Sequence, residues 1–88
     1  MSRMHELENI FMKAKEKNHY VAVLVQMEGF PANEVIINHP VNIESKLSYY
    51  KKTYADNLEH KFAGGIRIVD AAHGSSFEEI EKQWEDEL

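Results

Sequence analysis

His19-Tyr20-Val21-Ala22-Val23-Leu24-Val25-Gln26-Met27-Glu28 is the stretch on which the fold turns. It is rich in β-branched residues and apolar at both alternating positions for most of its length, the pattern of a strand buried on both faces. Such a strand belongs at the centre of a sheet. Downstream, Gly29-Phe30-Pro31-Ala32-Asn33 supplies turn chemistry and Glu34-Val35-Ile36-Ile37-Asn38 resumes a short strand, which predicts an antiparallel hairpin. Upstream, Leu7, Ile10, Phe11 and Ala14 recur at i, i+3, i+4 and i+7. They predict a helix from about Ser2 to Lys17, with Ser2 as its cap and lysines toward its carboxyl end.

Beyond the hairpin, Pro40 disfavours helix at His39 and Asn42 is positioned to cap a second helix over Ile43–Ala55. Ile43, Leu47, Tyr50, Tyr54 and Leu58 step along its apolar face. Gly64-Gly65 reads as a turn, and Ile66-Arg67-Ile68-Val69-Asp70-Ala71 as a third strand. Ser76 and Glu79 match the S-x-x-E capping box, starting a third helix with Phe77, Ile80, Trp84 and Leu88 on one face. The element order is therefore α-β-β-α-β-α. It predicts one α+β domain over residues 1–88, a three-stranded sheet with helices packed on it. The strand order expected is 2-1-3, reached by a right-handed crossover through the second helix, with 1-2-3 as the alternative.

Composition sets the class. The chain is 43% hydrophobic and 28% charged, enough apolar surface to offset the entropy of ordering. It has no cysteine, which removes disulfides and thiolate metal sites and makes the cytoplasm the expected compartment. The longest apolar run, Tyr20 to Val25, is far short of the roughly 20 residues of a membrane helix, and no targeting segment is expected. The net charge of −5 is matched by the carboxyl-terminal segment from Phe77 alone, which holds six acids against Lys82. A chain otherwise neutral, with no basic face, argues against nucleic acid as a partner, because phosphate contacts need lysines and arginines to displace counterions.

The predicted topology brings three histidines to one sheet edge. His19 enters the first strand, His39 leaves the second, and His73 follows the third just past Asp70. The second and third helices start at that edge too, and His73-Gly74-Ser75-Ser76 resembles a small anion nest. His19, His39, Asp70, His73, Ser75 and Ser76 are therefore the candidate anion or metal ligands. In the 2-1-3 order the outer histidines are about 10 Å apart, wide for a tetrahedral ion. Ordinary loop chemistry also accounts for each of these residues. No nucleophile elbow, phosphate loop, dinucleotide fingerprint or zinc-protease motif occurs, so no catalytic residue and no cofactor are assigned. For a protein interface, the candidates are Tyr49, which falls off the buried stripe of its helix, and Glu78, Glu81 and Glu85 of the acidic third helix.

Residues 29–38, Gly65-Ile66-Arg67-Ile68-Val69 and Ser76-Phe77-Glu78-Glu79-Ile80-Glu81 resemble small uncharacterised proteins of phages and prophages of Gram-positive bacteria. The resemblance covers about two thirds of the chain, from Val21 onward. It implies a viral accessory context in the host cytoplasm and transfers no site residue. Two expectations follow. The first is a non-enzymatic protein that binds a protein partner or itself through the third helix or an exposed strand edge. The second is a small anion- or metal-binding domain built on the histidine edge.

Overall fold

The computed structural model describes residues 3–86 of the chain, so the Ser2 cap and Leu88 lie outside the described residues. Its elements are α1 (Arg3–Lys17), β1 (Tyr20–Met27), β2 (Glu34–Asn38), a 3-10 turn (Pro40–Asn42), α2 (Ile43–Thr53), β3 (Ile66–Gly74) and α3 (Phe77–Asp86). The sheet order is β2-β1-β3, with β1 antiparallel to both neighbours. This is the α+β order expected from the sequence, and the most apolar strand is the central one.

Helix α1 buries Leu7, Phe11 and Ala14 of the stripe that its spacing predicts, leaves Ile10 at the margin, and adds Met4, which is not among the residues expected there. It stops at Asn18, which adopts a left-handed φ of 57°. The His19 amide then donates to the Ala14 carbonyl at 2.8 Å and the Asn18 amide to Lys15 at 3.3 Å. That paired arrangement satisfies two carbonyls the helix end would leave open, and it turns the chain into β1 within two residues. His19 is thereby fixed at the entrance to the central strand.

Alternation along β1 divides the molecule into two layers. Val21, Val23 and Val25 face a cluster with Leu7 and Phe11 of α1, Ile43, Tyr50 and Tyr54 from α2 and its end, and Ile68 of β3. Ala22 points the other way, where Ile80 of α3 is also fully buried. Gly74 makes that seat possible, since a Cβ there would lie 3.0 Å from Ile80 Cγ1. Two helices thus cover one face and a single ten-residue helix part of the other. Among the described residues of the apolar stripe predicted for α3, only Ile80 is fully buried; Phe77 stays 42% exposed and Trp84 is half-buried.

Three local expectations are corrected. Strand β3 continues to Gly74 rather than stopping at Ala71. Ala72, His73 and Gly74 are weak strand formers, and it is pairing with Ala22, Val21 and Tyr20 that holds them extended. Helix α2 ends at Thr53; Tyr54 is already extended and bridges to His60. Leu58 is buried, but from a left-handed loop position (φ 68°) instead of a helical one. Finally, Asn42 stands at the α2 N-cap without a capping side-chain bond, because the 3-10 turn leads directly into the helix and the Ile43 amide is satisfied by Pro40.

Candidate functional site

The histidine edge forms only in part. His73 pairs with Val21 across β1 and β3, and His19 lies two residues before Val21, so both rings fall on the same sheet face. Their Nδ1 atoms are 3.1 Å apart. The ring centroids are 5.3 Å apart, only 2.2 Å more than the nitrogen gap, so the two nitrogens lie nearly on the line joining the ring centres. That is the head-on geometry of a hydrogen bond, in which one imidazole donates and the other accepts. Two lone pairs holding one metal would instead converge on a third point. Burial, then His19, Lys17 and Lys13, lower the pKa of His73, while Glu79 opposes them.

The other predicted ligands are directed elsewhere. Asn38 faces the core with Val21, so His39 is turned to the opposite side of the sheet, where its ring meets Tyr20 edge-on at 5.2 Å. Asp70 sits opposite Leu24 at a bulge in β3, and its Oδ1 accepts the Ala71 amide at 2.8 Å. Ser75 and Ser76 serve the start of α3. Ser76 Oγ accepts the Glu79 amide at 3.2 Å, the first half of the expected capping box. Ser75 Oγ donates to Glu79 Oε2 at 2.5 Å, and hydrogen bonds from Ser75 hold that carboxyl below the usual range. The expected anion nest is therefore filled by the protein's own carboxylate. Among the described residues no three histidine or acidic side chains gather around a common metal position.

The interface candidates are also divided. Tyr49 is half exposed on α2, with Lys46 Nζ 5.9 Å from its ring centre. Glu78, Glu81 and Glu85 are exposed on α3, across the sheet from α2. What lies next to α3 is the half of the sheet it leaves uncovered. Alternation puts Tyr20, Leu24, Val35 and Ile37 on this face, with Leu24 opposite Val35 in the register. Val35 is 40% exposed, and Tyr20, Leu24 and Ile37 are half-buried. The result is an apolar strip on β1 and β2 beside an acidic helix. Charge reading found the helix; it could not find the strip, because which half of the sheet stays open depends on where ten helical residues cross three strands.

The edges of the sheet differ as well. Residues after α2 lie along the outer side of β3, with the Ile68 amide donating to Leu58 and the His60 amide to Ile66, and Gln83 Nε2 caps the His73 carbonyl. β2 has no strand neighbour other than β1 among the described residues. At the end of the sheet away from the histidine pair, a cleft of about 670 Å³ opens between Glu28, Phe30, Glu59, His60, Gly65 and Arg67. In the sequence Gly64-Gly65 signals only a turn, and no local pattern signals the cleft beside it. The turn itself is as expected: Gly65 has φ 80° and carries the carbonyl that accepts the Glu28 amide at 2.7 Å. His60 Nδ1 accepts the Phe62 and Ala63 amides, so its lone pair shapes the loop.

No helix of the described residues is long and apolar enough to cross a membrane. Comparison with known proteins finds no match to a family model, a curated protein or a solved structure, so the chain's function is read from its own geometry.

Proposed function

We propose that this chain is a non-enzymatic binding protein that docks a protein partner bearing basic and apolar side chains, as a phage-type accessory protein in the host cytoplasm. The observation that carries this reading is the half-covered sheet face, where Leu24, Val35 and Ile37 form an apolar strip beside the acids of α3. An apolar strip beside a helix of net negative charge selects a partner by burial and by complementary charge together. The polar groups that sequence reading offered for chemistry are engaged locally: His19 with His73, Asp70 with Ala71, and Glu79 with Ser75.

The test is affinity capture from cells expressing the tagged chain, comparing wild type with Glu78→Lys/Glu81→Lys/Glu85→Lys and with Tyr49→Ala. A protein other than the chain itself should be retained by wild type and Tyr49→Ala, released as salt is raised, and lost with the charge-reversed helix. Equal recovery from all three, or recovery insensitive to salt, overturns the reading.

A further inference from the structure

We infer that β2 is a self-pairing edge, and that two copies of the chain join β2 to β2 antiparallel about Ile36 to make one six-stranded sheet. The inference goes beyond the docking reading above and names a different partner, a second copy. Strand β2, Glu34-Val35-Ile36-Ile37-Asn38, holds no lysine, no proline and no bulge, and its one charge, Glu34, stands at its end and leaves Val35, Ile36 and Ile37 unguarded. The opposite edge of the sheet is blocked, by the loop after α2 along Ile66–Ile68 and by Gln83 at His73. Unpaired backbone groups therefore remain on one strand, and a template of that kind accepts an extended chain.

The register follows from the residues. A two-fold axis through Ile36 pairs all five positions of β2, whereas an axis through Val35 or Ile37 pairs only three. It sets Glu34 opposite Asn38 of the second copy, so an acid faces an amide and no like charges meet. It also sets Val35 opposite Ile37 of the second copy, and both lie on the open face. The two apolar strips then merge at the centre of a closed, isologous pair, with the acidic α3 helices outside them. No covalent step is involved.

The chain has no cysteine, which allows a clean readout of both state and register. Light scattering on the purified full chain is expected to give the mass of a dimer. Val35→Lys/Ile37→Lys, at positions the monomer leaves partly exposed, should keep the circular dichroism of the wild type and weaken the dimer by about tenfold or more, since it places like charges directly opposite. For register, an equimolar mixture of Val35→Cys and Ile37→Cys chains treated with a mild oxidant should form the mixed disulfide faster than either single-cysteine disulfide, because directly opposed residues lie about 4.5–5.5 Å apart and diagonal ones about 7–8 Å. A monomer at every concentration overturns the inference and leaves the docking reading to its own capture test, which counts only proteins other than this chain. A dimer that survives the lysine pair, or cross-links as readily within each single-cysteine sample, overturns it too.

Discussion

The hydroxyl of Tyr50 donates to Oδ1 of Asn38 at 3.5 Å, linking α2 to the end of β2 through the polar residue that is buried among the described ones. Asn38 Nδ2 in turn donates to the Val21 carbonyl at 3.2 Å. One side chain thus ties the central strand, an edge strand and a helix at a point sealed by Phe11, whose ring centre is 5.7 Å from that of Tyr50. Burial pushes the Tyr50 hydroxyl up to about 12, against the opposing effect of Asn38. It therefore remains a donor throughout the physiological range.

Removing the Tyr50 hydroxyl should cost little, and removing its acceptor more. Tyr50→Phe gives up one long hydrogen bond and is expected to lower stability by about 1 kcal/mol. Asn38→Ala leaves the Tyr50 hydroxyl without its acceptor in the core and removes the side-chain tie to β1, and is expected to cost about 2–3 kcal/mol. Urea midpoints for both variants and the double mutant check the order; equal losses would show that the amide is not holding the two elements.

Acidification should loosen the His19–His73 contact before it affects the carboxylates. Burial and the neighbouring His19, Lys17 and Lys13 lower the pKa of His73, so the folded state binds fewer protons there than the unfolded chain, whose histidine titrates near ~6.5. Stability from this group is complete above that value and is lost as pH falls through the lowered one. A protonated His73 can only donate across the 3.1 Å contact. Urea midpoints should fall between roughly pH 7 and pH 5, and His73→Asn should flatten that slope. An unchanged slope in the variant would assign it to other groups.

Gly65 and Gly64 should respond in opposite ways to alanine. Gly65 has φ 80°, and a Cβ there would lie 2.6 Å from the Glu28 carboxylate and 2.8 Å from its Cβ. Gly65→Ala is expected to destabilise by about 1–3 kcal/mol. Gly64 meets nothing within 4 Å and has no left-handed φ, so Gly64→Ala should change stability by no more than about 0.5 kcal/mol. Thermal unfolding of the two variants side by side distinguishes a required turn geometry from a general preference for glycine.

Ser76→Ala should cost about 1 kcal/mol by freeing the Glu79 amide at the first turn of α3. The loss is local, so amide exchange should quicken across α3 while β1 stays protected. Uniform quickening would mean that α3 and the sheet open as one unit.

The sequence alone was enough for the layout. The apolar run through Val21–Val25 made β1 central, the 3.6-residue spacing in α1 named Leu7, Phe11 and Ala14 as core, and Ser76 with Glu79 marked the start of α3. These are local signals, written in the spacing and chemistry of adjacent residues. Tertiary structure decided what depends on register and on crossing angle. It extended β3 to Gly74 by pairing poor strand formers with β1, which put His73 opposite Val21 and beside His19. It turned His39 away, because a side chain one position past Asn38 belongs to the other face. It spent the first turn of α3 on Glu79 and left Leu24, Val35 and Ile37 half open where that helix does not reach. A chain's periodicity says which side of an element is apolar. Only the packing of one element over another says how much of that side is covered, since coverage is a property of two surfaces and not of one.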